Sequence, residues 1–366
     1  MAISQQEYNT HLQSNRILHI KIDLLNQYNA IVDSLEGIAL DGQVNVTFDS
    51  LIRRTASVKF ILSNSLLPSQ QSKLWINNKV RLWTGLENYS GVVFYYCMGT
   101  FCIKNPSVDI SINERTVFLE LADKMYLLSN IPLELITKFN AGIPISDAMR
   151  LVVGTLGGET QLSIDTHPYT LPYDLEFTPE QSVLDIVQSL QDMYMNWEAF
   201  YDVDGRFIFK EIPNTLNDPI QWDFIDKADF RINSQVSVAY DNIKNHIKVI
   251  GKTLNDGTTA TAISENTNIN SSFSIAKIGK KSLVISDSKY FTNTQCQANA
   301  DYQLFKHSNF NEKFNISSIP IYFLDVEKNV NFNSPEDNLE GIYCVSSLGI
   351  PLKFDGMMSI SGYRVY

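Results

Sequence analysis

In successive stretches between Ile17 and Leu121 apolar side chains return at every second position, and a period of two fits only extended chain with one buried face. Leu18, Ile20, Ile22 and Leu24 fall on one side, His19, Lys21 and Asp23 on the other, so His19 reads as a solvent-face residue and not a ligand. The same alternation runs through Val44, Val46 and Phe48, then Val58, Phe60 and Leu62, then Lys79 to Trp83. Val92 to Ile103 is almost continuously apolar and suits a strand buried on both faces. Val108 to Ile112 alternates up to a turn at Asn113-Glu114, and Val117, Leu119 and Leu121 resume beyond it. Short strands at this spacing predict a small antiparallel barrel or sandwich over about residues 15–128.

The period changes at Asn130. Ser146, with Ile145 as a staple, can cap a helix that Gly157-Gly158 stops, and Thr178-Pro179-Glu180-Gln181 can open a second. Val183, Ile186, Val187, Leu190, Met193, Tyr194 and Trp197 follow at helical spacing. A hairpin turning at Asp202-Val203-Asp204-Gly205 closes a small α+β segment over 130–212. Strands return from 213, with Asn242 to Gly251, a hairpin turn at Asn255-Asp256-Gly257, an exposed polar loop over 264–272, a helix from Thr294 to His307 carrying Cys296, Ala300 and Leu304 on one stripe, and strands at Lys313–Ile319, Gly341–Val345 and Met357–Val365. The order is β-rich, α+β, β-rich.

Composition narrows the function classes. A chain of 366 residues favours two or three domains, and 44% hydrophobic against 19% charged residues is globular composition. The 17 Tyr and 20 Phe favour strands and interfaces. A net charge of -11 repels phosphate backbones and anionic lipid, although Arg53-Arg54 or Lys280-Lys281 could join a local basic patch if they are not solvated turns. Cys97, Cys102, Cys296 and Cys344 form no closely spaced pair and read as reduced, structural thiols of a protein assembled in a cytoplasm. The N-terminus carries no basic-then-apolar secretory pattern, and the longest apolar runs are strand-length, short of the roughly 18 residues a membrane helix needs.

No spacing of reactive residues predicts chemistry. Gly154-Thr155-Leu156-Gly157-Gly158 lacks the Lys-Ser/Thr of a phosphate loop and reads as a helix stop. Asp202 to Gly205 opens like a calcium loop, yet Pro213 stands where the twelfth-position Glu belongs, so a tight turn explains it. His167 beside Asp165 could be an oriented base but has no paired nucleophile, and a loop histidine fits far better. Scattered carboxylates leave a glycosidase pair open, and the aromatic run from Trp83 to Phe101 reads as a buried strand because it lacks the interleaved cations of a nucleic-acid platform. The expected catalytic, cofactor and metal sets are therefore all empty.

Three passages in order carry a resemblance. They are Leu35-Glu36-Gly37 through Arg53–Phe60 to Val80-Arg81-Leu82 and Gly99-Thr100-Phe101; Ser182–Val187 running to Trp197–Asp202 and Gly205-Arg206-Phe207; and Tyr240–Lys252. Over roughly residues 15–366 the chain resembles the hub family of phage tail baseplates, which includes contractile-tail central hubs, prophage and tailocin hubs, and the N-terminal hub region of siphophage tail-associated proteins. The resemblance implies a mainly β chain in which two small β-barrel domains of similar topology flank an α+β domain. Its divisions would be an arm at 1–15, a first barrel at 16–129, the α+β domain at 130–212, and a second barrel with a helix-containing insertion at 213–366. It also implies a non-enzymatic homotrimer in the virion tail baseplate, adapting a sixfold tail tube to a threefold spike. The partners would be the tail tube or a distal tail protein, a central spike or tail fibre protein, and a tape measure protein, with no membrane and with DNA only in passage through the ring lumen. The rival expectations are a distal tail protein, usually hexameric, and a carbohydrate-binding or carbohydrate-active β-rich protein.

Overall fold

A computed structural model describes residues 4–12, 17–37, 39–61, 72–76, 78–112, 115–212, 218–225, 231–254, 256–309, 312–335 and 339–365. The expected turn residues Asn113 and Glu114, and Asn255 of the second turn, lie outside them.

The leading part contains helix α1 (Gln5–His11) and strands β1 (Leu18–Leu25), β2 (Ile31–Glu36), β3 (Ala39–Thr47), β4 (Arg54–Ile61), β5 (Lys79–Glu87), β6 (Val93–Ile110) and β7 (Arg115–Ala122). The middle part contains α2 (Met125–Ser129), β8 (Thr137–Phe139), α3 (Ile145–Arg150), β9 (Leu162–Ile164), β10 (Leu175–Phe177), α4 (Val183–Gln191), β11 (Trp197–Tyr201) and β12 (Phe207–Glu211). The trailing part contains β13 (Ile220–Ile225), β14 (Arg231–Val238), β15 (His246–Thr253), β16 (Thr259–Glu265), α5 (Ile275–Ile278), β17 (Ser282–Ser286), α6 (Asn293–Asn309), β18 (Glu312–Ser318), β19 (Asn329–Ser334), β20 (Leu339–Pro351) and β21 (Met358–Arg364).

The protein is mainly β. One sheet path, β14-β18-β21-β20-β3-β4-β7-β6-β5-β1-β2, joins the leading and trailing parts, with β19 on β20 and β13 on β19. The joint is the antiparallel pairing of β3 with the end of β20, from Thr47 opposite Ser347 to Gln43 opposite Pro351. One hydrophobic core lies against both parts. It takes Ile22, Val58 and Leu119 from the first and Trp222, Phe314 and Ile360 from the second, while Tyr8 of α1 bridges to Trp222 with ring centroids 5.8 Å apart. A second core fills the middle part around Val152, Ile186 and Phe207, and a third lies between α6 and the small β16-β15-β17 sheet, where Cys296 and Ala300 meet Ile247 and Val249 as the helical stripe predicted.

The two β-rich parts share a strand order. In the first, β3, β4, β7, β6, β5 and β1 are successive neighbours; in the second, β14, β18, β21, β20, β19 and β13 are. Numbered along the chain, the two orders are the same. The irregularities coincide as well. An extra residue interrupts β3 at Leu40 and β14 at Ile232, and another interrupts β6 at Lys104 and β20 at Ser346. A bulge bends its strand and is a built feature, so the coincidence in place marks a duplicated design. Following the ladders sets Cys102, Ala122, Thr55 and Asn45 side by side in one part, and Cys344, Tyr363, Lys313 and Ser237 in the other. The glycines three residues before each cysteine, Gly99 and Gly341, both have positive φ, at 149° and 101°, a region L side chains rarely adopt. The parts differ at three places: an extra residue at Met98 interrupts the pairing of β6 with β5 where β20 pairs with β19 without a break, β2 beside β1 has no counterpart among the described strands, and β1 runs antiparallel to β5 while β13 runs parallel to β19 with a break at Gln221.

Several local expectations are corrected. Val92–Ile103 and Val108–Ile112 are not two strands: β6 continues through the Lys104 bulge and Pro106 for 18 residues, because Pro106 lies where β5 no longer pairs. The helix expected to be capped by Ser146 begins two residues earlier, with Pro144 at its N-cap, and Ser146 is buried without a capping bond. The helix expected from Thr178 begins at Val183. Ser182 and Asp185 form a reciprocal capping box there, and Thr178 to Gln181 make only the turn before it. Ser182→Ala should lower unfolding free energy by about 1 kcal/mol in denaturant titration, the usual cost of a lost cap.

Candidate assembly site

The catalytic-looking residues serve the fold. Asp202 caps its own turn, its Oδ1 accepting from Arg206 N at 2.8 Å, and the turn's carbonyls accept donors from β6, β5 and the residue before α2: Val203 O from Thr100 Oγ1 at 3.1 Å, Asp204 O from Arg81 at 3.0 Å and Gly205 O from Lys124 Nζ at 2.8 Å. Those oxygens position the middle part on β5 and β6, and are committed to protein donors. His167 is buried with its ring centroid 4.2 Å from that of Trp197, and its Nδ1 accepts from Tyr169 N at 3.1 Å. Burial holds this imidazole down at about 4, so it stays neutral near neutral pH. His19 pairs with Glu87 at 2.8 Å on the half-exposed face. Among the described residues no group of three His, Cys, Asp or Glu is placed to hold a metal.

Arg53-Arg54 is not a surface patch. Both are buried because β4 starts at the meeting point of the three parts. Arg53 pairs with Glu198 of β11 and, at 3.2 Å, with Glu327 before β19; Lys210 of β12 reaches the same two carboxylates at 3.2 and 3.4 Å. The Arg53 guanidinium also lies 3.6 Å from the Phe200 ring centroid. Two carboxylates sharing two cations in a desolvated pocket repel each other. Burial first, and the Glu198 charge second, push the Glu327 carboxyl up to about 7 against the pull of Arg53 and Lys210. Arg54 pairs with Asp325 and donates its backbone N–H to Asp123 at 2.9 Å. Burial raises Asp123 to about 6 despite that bond and another from Met125 N. The cluster locks the leading, middle and trailing parts to one another.

What remains open for partners is sheet edge. The path ends at β14, whose described side chains are exposed or half-buried, and at β2, where Ile31 and Val32 are exposed. On β6, pairing with β5 stops at Cys102, and among the described residues no strand takes that edge from Lys104 to Ile110. Inside the chain, the counterparts of these two edges already meet: they are β3 and the end of β20. The expectation of two β domains of similar topology came with the resemblance; the residues themselves carry little of it. That little is in Gly99-Thr100-Phe101-Cys102-Ile103 and Gly341-Ile342-Tyr343-Cys344-Val345, a repeat of glycine, an aromatic, cysteine and an aliphatic residue.

No protein-family model and no curated protein matches the sequence. Solved structures match its fold. A 43 kDa tail protein of prophage MuSo2 from Shewanella oneidensis aligns over 94% of this chain and 98% of its own, with a TM-score of 0.62 and 10% identity. A tail protein of Neisseria meningitidis MC58 aligns over 94% and 96%, with a TM-score of 0.64 and 9% identity. An Escherichia coli protein described as a type VI secretion component with structural similarity to T4 tail proteins gp27 and gp5 aligns over 90% and 73%, with a TM-score of 0.52 and 6% identity. At these identities the likeness is one of fold. It agrees with the resemblance to tail hubs that the three sequence passages carry.

Proposed function

We propose that this chain is a structural component at the hub of a phage-type tail, and that three copies form a ring. The observation that carries this is the duplicated strand order with coincident bulges. A chain that repeats one β design twice lets three copies present six similar units, which can meet a sixfold tube on one face while the threefold set of middle parts meets a spike or fibre on the other. Closed rings need an interface fixed by symmetry, and apolar area and edge pairing supply it without chemistry. The buried cluster around Arg53 suits this role, since it keeps the two β parts at one angle within each copy. The fold shared with prophage tail proteins supports a place in the virion tail. In this reading each β part is a barrel-like unit, the helix-bearing insertion of β15 to α6 decorates the second, and the tube or distal tail protein, the spike or fibre, and a tape measure protein are the partners. DNA touches the chain only in passing through the lumen.

Light scattering over a rising concentration series tests the copy number. A species three times the 41.5 kDa chain mass is expected. A hexamer would instead fit a distal tail protein, because six duplicated chains would present twelve β units, and would overturn the hub reading.

A further inference from the structure

We propose that the ring closes by strand addition: β14 of one copy pairs antiparallel with the free Lys104–Ile110 edge of β6 in the next, repeating between copies the β3 to β20 junction found inside each. The inference rests on the trimeric reading for its copy number, but its geometry comes from the chain itself. β14 is the counterpart of β3, and β6 is the counterpart of β20. Within one copy β3 is covered by the end of β20, where Val44, Val46, Leu348 and Ile350 are buried. Their counterparts Val236, Val238, Pro106 and Val108 stand half-buried or exposed on two edges that no described strand covers. Val108 and Val236 already touch the main core along one side. A strand laid across each edge would complete their burial as the internal junction completes that of Ile350 and Val44.

The ladders give the register. Asn45 faces Gly349 in the internal junction. Through the shared pairings Ser237 is the counterpart of Asn45, and Ser107 the counterpart of Gly349, each lying three residues past an equivalent bulge. Ser237 of one copy therefore meets Ser107 of the next, Val236 meets Val108, and Val238 meets Pro106. In the internal junction Phe48 N donates to Ser346 O and Leu352 N to Gly42 O, so the even-numbered positions carry the bonds. The Asn45–Gly349 pair is then a non-hydrogen-bonded one, with Cα atoms about 4.5 Å apart, and both Ser107 and Ser237 are exposed. Pro106 stands where Leu348 gives its N–H, and has none to give. The junction between copies has one bond fewer than the internal one, and a proline on an open edge keeps dilute copies from pairing indiscriminately. The contact is head to tail, so it makes a closed ring or an open chain according to the angle between the two halves.

The test is the full-length double variant Ser107→Cys/Ser237→Cys, oxidised over a concentration series up to about 1 mM, the range of a weak association, with each single variant as a control and the mass of the wild type measured alongside. Cys–Cys bonding at 4.5 Å needs no backbone movement. A covalent trimer from the double variant, absent from both single variants and reversed by reductant, is expected. A wild-type trimer with no cross-linked species overturns the junction and leaves the trimer standing. A covalent ladder running past three copies supports the junction and overturns the trimer. A chain that stays monomeric and uncross-linked at every concentration overturns the junction.

Discussion

Arg53→Met should lower the unfolding free energy by about 3–5 kcal/mol at pH 8, the usual cost of stranding buried charge. The arginine holds Glu198 and Glu327 together, and its removal leaves two desolvated carboxylates facing Lys210 alone. The loss should shrink on acidification. Glu327 titrates near 7 in the folded protein against 4.5 for an ordinary glutamate, so the native state holds its proton where the unfolded chain has lost it. Stability from this group is fully present below about pH 4.5 and falls as pH rises to about 7. Asp123, raised from 3.8 to about 6, adds a loss in the same direction over its own window. Without Arg53 the glutamate is harder to ionise, and protonation relieves more of the damage. Guanidinium unfolding of both proteins at pH 5.5 and pH 8 measures this. A variant equally destabilised at both pH values would show that the lost cation–π packing on Phe200, and not the charge cluster, sets the cost.

Trp222→Ala should cost about 3–5 kcal/mol, as deletion of a buried indole does. Trp222 is fully buried on β13, packs on Phe224 and Phe323, and meets Tyr8 of α1 near the N-terminus. Tyr8 Oη in turn donates to Pro320 O at 2.7 Å. Because one core lies against both β-rich parts, the loss should appear as a single transition moved to lower denaturant. Hydrogen exchange should report faster opening in β5 and β6 as well as in β19 and β20. Faster exchange confined to β13, β19 and β20 would mean that the two parts open independently.

Much of this was legible in the residues. Period-two alternation located β1, β3, β4 and β7 because each has one face in the core, and the stripe of Cys296, Ala300 and Leu304 located α6 for the same reason. Strands whose outer face is polar on both neighbours carried less signal. β19 reads Asn329-Val330-Asn331-Phe332-Asn333, with only two large apolar residues to mark the period, and β13 is six residues long, with Ile225 breaking the alternation of Ile220, Trp222 and Phe224. The site was hidden for a different reason. Adjacent arginines look the same in sequence whether they are solvated or buried, and their partners Glu198, Asp325 and Glu327 lie more than a hundred residues away. The resemblance implied the duplication, but the residues show little of it, because equal topology here comes with different side chains, Ala122 against Tyr363 and Thr55 against Lys313, and only the glycine-to-cysteine repeat is visible in the sequence.

Duplication within the chain is the feature from which the proposed ring, its symmetry and its closing contact all derive. Electron microscopy along the axis of the assembled ring examines it directly. Three chains arranged as six alike β units, with three internal and three intermolecular strand junctions alternating around the lumen, are the expected image. Six chains around the axis, or a ring in which the two β-rich parts lie at different radii, would contradict it.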